Sequence, residues 1–446
     1  MDAHERPEAA GPCKVLVTGA EGFIGRHVVA ALLADGHEVV SGIRRPRPAG
    51  GPVSSLAPML VACDFDSDTA AEDWLPRLDG IEALVNCAGI LREGAQGRFE
   101  TVHVEAPGAL FAACARRGVR RVVQVSALGD PADGEFVASK HRGDARLASL
   151  DLDWVVLRPS VVYSAQGSYG GTSLLRAMAA LPAVLVLPGS GAQRLQPVCA
   201  EDLAELVARL LRPDAIARSI IEVTGPETLT LEDYLRQWRA WLRVPAPRLT
   251  LRVPRPLVAL AAAAGERFGT GPLGRTMDAM LARGNVGLPG SSDRLAALLG
   301  RRPRSLREAL AVRPSFVQDR WQARLHLLDP LLRLMLAVVW IFSAWVGFAT
   351  PASQAAAILE PAGIGATLAV PLVRAAAAID LLLGLLLLAK WRTRWVGTLM
   401  IGSLLAYTLF IGVQLPGSWM DPFGGLLKNL ALLPAVAIMM ALADRR

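Results

Sequence analysis

Between residue 13 and about residue 125 the chain alternates short apolar runs with stretches whose apolar residues recur at helical spacing. The runs Lys14–Thr18, Glu38–Ile43, Met59–Cys63, Ala83–Cys87 and Arg121–Val125 predict strands. Arg26–Asp35, Thr69–Leu78 and Val104–Arg117 predict helices between them. Such alternation predicts a parallel sheet with helices on both faces, a doubly wound α/β fold. Asp153–Leu157 predicts a sixth strand and Ile220–Thr224 a late one. Segments 166–195 and 226–310 break the alternation with Gly, Pro and aromatic residues. Ligands of open α/β sheets bind beyond the strand carboxyl ends, so these segments are expected to build the substrate side.

The pattern changes after Leu327. Apolar spans at 329–349, 367–389, 395–415 and 423–442 each hold roughly the 20 residues that cross a bilayer as a helix. They predict an all-α, four-helix transmembrane bundle over 327–446, joined to the α/β domain at 13–310 by a polar, basic linker at 311–326. Arg320, Arg324 and Arg333 lie on the N-terminal side of the first span, Lys390, Arg392 and Arg394 lie between the second and third, and Arg445 and Arg446 close the sequence. The loops around Glu360 and Asp421 carry no Lys or Arg. The positive-inside rule then places both termini and the α/β domain in the cytoplasm, as in a multi-pass protein of a bacterial-type inner membrane. Arg374, Asp380 and Lys428 fall within spans, where a bundle-stabilising polar network and a substrate pathway both accommodate them.

Composition refines this picture at three points. A length of 446 residues suits two or three domains, and the hydrophobic content of 52% is concentrated toward the C-terminal end. The net charge of +7 comes with runs such as Arg301-Arg302-Pro303-Arg304, without interleaved aromatics. Anionic membrane lipids are therefore expected partners and nucleic acid is not. Cys13, Cys63, Cys87, Cys114 and Cys199 are scattered, so they are expected as small buried thiols in a reducing compartment, with no metal site. Met1–Pro12 is charged and lacks an apolar core, which predicts a disordered tail and no secretory signal.

Thr18-Gly19-Ala20-Glu21-Gly22-Phe23-Ile24-Gly25 follows the apolar Val15–Val17 and opens a helical pattern. A strand, a Gly-rich turn and a helix in succession make a dinucleotide site of the Rossmann type. Gly19 permits the tight turn, Gly22 lets the backbone approach a pyrophosphate, and Gly25 lets the helix lie close on the strand. The phosphates would face the free N–H groups of that helix, with Thr18, Glu21, Phe23 and Ile24 completing the cofactor contacts. After the second strand, Ser41-Gly42-Ile43-Arg44-Arg45 has no acid for the ribose hydroxyls. Arg44 and Arg45 can instead pair with a 2′-phosphate, which favours NADP(H) over NAD(H).

Further motifs follow in order: Cys63-Asp64, Asn86-Cys87-Ala88-Gly89, Val125-Ser126-Ala127-Leu128-Gly129, Arg158-Pro159-Ser160-Val161-Val162-Tyr163, and Pro197 to Asp202. Together they resemble the extended and atypical short-chain dehydrogenases/reductases, and most of all the branch that holds the nucleotide-binding accessory subunit of respiratory complex I. The resemblance implies Asp64 near the adenine, Ala88 and Gly89 near the adenine ribose and phosphates, and Pro159 to Val161 near the nicotinamide. It also implies a Ser, Tyr and Lys set, in which Tyr is the general acid/base, Lys lowers its pKa and holds the ribose, and Ser orients the substrate oxygen. Ser126 and Lys140 match. Phe136-Val137-Ala138-Ser139-Lys140 puts Phe136 at the Tyr position, and phenylalanine has no proton to give. His141, Tyr163 and Tyr169 are candidate substitutes, with Tyr163 expected in a core or turn role. Residues 327–446 resemble DoxX-like membrane domains, most of all in Trp419–Asn429, which implies a redox or quinone-linked setting.

Three functions are consistent with these expectations, one of them a membrane protein whose activity lies in the four-span bundle, with the nucleotide domain regulating it; the other two rest on the nucleotide domain. One is a membrane-tethered NADP(H)-binding oxidoreductase acting on a small lipophilic or quinone-type substrate. The other is a non-catalytic NADP(H)-binding sensor or assembly subunit with a membrane-complex partner.

Overall fold

The computed structural model describes residues 11–45, 58–94, 97–268, 274–420 and 425–443. Residues 1–10 of the expected tail, Asp421 in its loop, and the closing Arg445 and Arg446 lie outside these. The chain forms two compact units, residues 1–323 and 324–446.

The first unit is built on a seven-stranded sheet. Its strands are β1 (Lys14–Thr18), β2 (Glu38–Ile43), β3 (Met59–Ala62), β4 (Ala83–Asn86), β5 (Arg121–Val125) and β6 (Asp153–Pro159), with Ser219–Val223 at the far edge. All pairings are parallel, and the order across the sheet is β3-β2-β1-β4-β5-β6 and then 219–223. The order reverses between β1 and β4, which opens the crevice where such sheets take ligands. Alternation along each strand divides its side chains between two cores. Val15 and Val17 pack with Val28, Leu32 and Leu206 on one face. Leu16 packs with Trp74, Leu110 and Phe111 on the other.

Four helices flank the first six strands: α1 (Phe23–Ala34), the short α2 (Ala71–Trp74), α3 (Ala106–Arg117) and α4 (Glu135–Ala148). A π-helical turn, Thr101–Glu105, leads into α3. The segments expected on the substrate side hold a third core, with Tyr163, Leu185, Tyr234 and Trp238 fully buried. Arg92, beyond β4, donates to the carbonyls of Gly265 (2.9 Å) and Glu266 (2.7 Å) at the end of the helix Arg255–Phe268. That helix is thereby tied to the loop after β4.

The second unit is helical. Val317–Ala349, Ala366–Leu388 and Thr393–Gln414 are long and apolar enough to cross a membrane. Only 28% of each apolar window is buried within the protein, so most of that surface needs an apolar solvent. The fourth apolar span, expected over 423–442, holds a shorter helix among the described residues: Leu427–Leu442 has 16 residues and is about 24 Å long against a hydrocarbon core of about 30 Å. Residues 317–326, expected within a linker, begin the 33-residue first helix. Their polarity is no obstacle, because Gln, Arg, Ala and Leu are all good helix formers. Glycines bring the helices together: a Cβ on Gly384 would lie 2.8 Å from Ile341, and one on Gly347 would lie 2.8 Å from Ala377.

Arg374, Asp380 and Lys428 do not form one network. Arg374 and Lys428 are exposed, whereas Asp380 is buried and bound by Ser343 and Tyr407. Six residues along a helix put Arg374 on a different face from Asp380.

Candidate nucleotide and active site

The Gly-rich turn is held by its own backbone. Gly19 has φ +66°, and the Gly22 N–H donates to its carbonyl at 2.8 Å. A Cβ on Gly25 would lie 2.1 Å from that same oxygen, and one on Gly19 would lie 2.8 Å from the Ala88 nitrogen. Side chains are therefore excluded where β1, α1 and the loop after β4 converge. Gly22 caps α1 without a side-chain hydrogen bond, leaving the first N–H groups of the helix available to an anion. This open, glycine-lined cradle fits a pyrophosphate. Glu21 is exposed, while Phe23 and Ile24 are half-buried, with Ile24 packed on the core.

Behind the cradle runs a buried polar ladder. Thr18 Oγ1 donates to Asn86 Oδ1 (2.6 Å), which also accepts from the Ala88 N–H (3.1 Å), and Asn86 Nδ2 donates to Gln124 Oε1 (2.7 Å). It ties the ends of β1, β4 and β5 together and fixes the Ala88-Gly89 loop.

At the end of β2, Arg44 is paired with two carboxylates. Its guanidinium lies 3.3 Å from Asp64 and 3.1 Å from Asp66, both in the loop after β3. Arg45 is exposed. At the end of β6, Pro159 is buried and its carbonyl accepts from the Leu128 N–H at 3.1 Å. The Val161 carbonyl accepts from the Val198 N–H at 3.0 Å.

Helix α4 brings Lys140 under the Ala88-Gly89 loop. Its Nζ donates to the carbonyls of Ala88 (3.0 Å) and Val125 (3.3 Å), and a Cβ on Gly89 would lie 2.7 Å from it. Burial lowers its pKa from 10.5 to about 8, and the Asp144 charge opposes that shift. Ser126 Oγ donates to Asp144 Oδ2 (2.8 Å), which also receives Arg158 Nε (3.1 Å) and an Arg158 NH2 (2.9 Å). Burial raises the Asp144 pKa against the pull of Ser126 and Arg158. Ser126 and Lys140 thus lie at the end of β5 and beside it, joined through the face of α4 that carries Asp144.

Phe136 packs edge-on against Phe99 (centroids 6.2 Å apart) and His103 (5.8 Å). His103 went unnoticed in the sequence. Its Nε2 accepts from the Ile90 N–H (3.1 Å), which leaves Nδ1 protonated toward Ser139 Oγ (2.8 Å). Ser139 Oγ donates onward to the Phe136 carbonyl (3.2 Å). Burial, with the nearby Lys140 charge, pushes the His103 pKa down to about 2, so the ring stays neutral. The chain from Ile90 to Phe136 fixes the Ala88-Gly89 loop against the start of α4. Asp144 did have a sequence signal, since it lies four residues beyond Lys140 on the same helix face. His103 had none, because its partners are distant in sequence.

The proposed substitutes for tyrosine fare differently. Tyr163 is fully buried in the third core against Trp238, with its pKa raised by burial, so it is no donor to this site. His141 Nε2 lies 3.2 Å from the Ala127 carbonyl. Tyr169 is exposed, in the segment beyond β6. All five cysteines are free thiols, with Cys13 and Cys87 only half-buried.

Residues 15–223 match the NAD dependent epimerase/dehydratase family, and residues 337–437 match the DoxX-like family. An uncharacterised protein of Mycobacterium tuberculosis is 30% identical over 220 residues, and the chain spans only 22% of that relative's length while using 49% of its own. A ceramide reductase of Caulobacter vibrioides is 28% identical over 253 residues, 56% of this chain and 76% of the reductase. A solved nucleoside-diphosphate-sugar epimerase of Staphylococcus aureus aligns with a TM-score of 0.51 at 16% identity, covering 67% of this chain and 99% of the epimerase. That last likeness shows the fold alone.

Proposed function

We propose a membrane-tethered oxidoreductase that uses NADP(H) to reduce a lipophilic carbonyl or quinone-type substrate, on the match of residues 15–223 to the NAD dependent epimerase/dehydratase family, the match of residues 337–437 to the DoxX-like family, and the three apolar helices of spanning length. The observation that carries the reading is Lys140, a buried cation at the strand ends that holds its proton loosely. The apolar spans keep the enzyme at a bilayer, and a lipid is also the substrate class in the name of the ceramide reductase it resembles. On the positive-inside rule, the loop charges support a nucleotide domain on the cytoplasmic side.

The glycine cradle holds the pyrophosphate, and Ala88, Gly89, Pro159 and Val161 flank the rest of the cofactor. When bound, the dihydronicotinamide supplies the hydride that forms the new C–H bond. Phe136 cannot protonate the developing alkoxide, and Lys140 can. Its Nζ passes a proton to the substrate oxygen, directly or through a water, and regains one from solvent. A pKa near 8 suits such a donor at neutral pH. Ser126, held by Asp144, accepts or relays a hydrogen bond beside that oxygen.

The test is NADPH oxidation by the full chain in lipid nanodiscs with long-chain ketones and quinones. Turnover is expected, and Lys140→Met should lower it by about 100-fold or more. Phe136 favours a second reading, a non-catalytic NADP(H) sensor or assembly subunit like those of the complex I accessory branch. Stoichiometric nucleotide binding without turnover on any of these substrates would replace the first reading with the second.

A further inference from the structure

A cavity of about 380 Å³ lies inside the helical unit, within the range of small-molecule sites. Its walls are largely apolar and aromatic, with Trp340, Phe342, Tyr407, Leu404 and Leu432 among them. Asp380 is its acidic group, and it is buried. Ser343 Oγ donates to Asp380 Oδ2 at 2.8 Å. Among the described residues Oδ1 has only a long contact, 3.4 Å, from the Tyr407 hydroxyl, which also lies 3.5 Å from the Ala376 carbonyl. Among the described residues no Lys or Arg forms an ion pair with Asp380, while Asp329 in the same unit has Arg333 at 3.8 Å.

The hydroxyl donors at this site, and one amide N–H, are already engaged within the protein. Ser343 and Tyr407 are directed at the carboxylate, Ser403 donates to the Met400 carbonyl, and an Asn429 N–H is directed at Thr408. What the cavity offers a ligand is acceptor capacity at Oδ1, aromatic faces and apolar volume. A carboxylate without a cation, beside Trp, Phe and Tyr rings, is the chemistry that holds an organic ammonium, by charge and by cation–π attraction. The apolar walls suit a carbon chain and not a hydrated inorganic ion. We propose that the helical unit binds a lipophilic ammonium compound in this cavity, with its cationic head on Asp380 and its apolar part against Trp340 and Leu432. This site is separate from the nucleotide domain's chemistry.

The probe is octylammonium, with octanol as its neutral counterpart, titrated calorimetrically into the full chain in lipid nanodiscs after subtraction of empty nanodiscs. Saturable one-to-one binding of octylammonium is expected, at least about tenfold tighter than octanol. Asp380→Asn should lose about tenfold or more of that affinity, and Trp340→Leu should weaken it as well. Tyr407→Phe keeps the ring and should still bind. Equal binding of octanol and octylammonium overturns the proposal, and so does octylammonium binding that Asp380→Asn leaves unchanged. If Asp380→Asn fails to fold, the comparison of the two probes on the unaltered chain, with Trp340→Leu, still decides the matter.

Discussion

Where β1 meets α1, backbone lies against backbone: Gly19, Gly22 and Gly25 leave no room for a Cβ, and the walls of the cradle are peptide groups. Where α4 begins, some residues away along the same sheet edge, the space is filled by the rings of Phe136, Phe99 and His103. The cradle needs only shape and N–H groups, both of which the fold supplies once three side chains are absent. Proton transfer needs a titratable atom at one point, and there a ring without one stands. On the proposed function, the cofactor half of the site rests on backbone alone, while the chemical half depends on Lys140 and on the side chains that hold it. Each half can be broken separately.

The largest effect is expected at the cradle. Gly25→Val places a side chain 2.1 Å or less from the Gly19 carbonyl region, so α1 must move off the strand end. Nucleotide affinity should fall by roughly 100-fold or more, with the helix N-terminus no longer aimed at the phosphates. Calorimetry with NADPH checks this, with circular dichroism to show that the sheet persists. Next is Phe136→Tyr. If Lys140 is a makeshift donor, a phenol at position 136 should raise turnover, by up to about 10², the low end of what a positioned acid typically contributes. Steady-state rates on the same lipophilic ketone measure it, and an unchanged zero would favour the sensor.

The two halves were not equally legible in the sequence. The cradle was readable because it depends on local spacing, three glycines between an apolar strand and a helix. The strands were readable for the same reason, since Val15, Leu16 and Val17 alternate between the two cores. The polar framework was not. Asn86, Gln124 and His103 find partners 13 to 68 residues away, and only the folded sheet brings those atoms together. Arg44 shows an intermediate case. Its partners lie on the loop after the neighbouring parallel strand, so adjacency of β2 and β3 would have suggested them, but motif spacing alone did not. In the helical unit, apolar run length located the last helix but not its start at Leu427, because a hydropathy window carries no capping signal.

Lys140 sharpens the contrast through stability. Its folded pKa is about 8 against 10.5 for an ordinary lysine, a cost of about 3 kcal/mol for keeping the buried ammonium charged. A lowered lysine pKa costs stability in full below pH 8, and the cost fades as pH rises from 8 toward 10.5, because the unfolded chain then holds the proton more tightly. Lys140→Met keeps the stem and removes the charge. At pH 7 the nucleotide-free variant should be more stable than the unaltered protein by on the order of 1–3 kcal/mol, and the gap should close above pH 8. Denaturation in detergent at several pH values measures this. A variant less stable at pH 7 would mean that the two carbonyl contacts outweigh the burial cost.

The smallest effect concerns cofactor choice, because Arg44 has competing partners. Its ion pairs with Asp64 and Asp66 are partly exposed, and such pairs contribute about 0.2–1 kcal/mol. A 2′-phosphate, with up to two negative charges, can draw Arg44 away from them and add Arg45, but it must also approach Asp64. Attraction and repulsion nearly offset, so the preference for NADPH over NADH should be modest, about tenfold or less. Arg44→Ala with Arg45→Ala should remove that preference and leave NADH affinity almost unchanged. Asp64→Asn should widen it, since the repulsion goes while both arginines stay. Dissociation constants for the two nucleotides across these variants give the answer. An Asp64→Asn protein whose preference narrows would mean that Asp64 serves to hold Arg44 in place for the phosphate and does not compete for it.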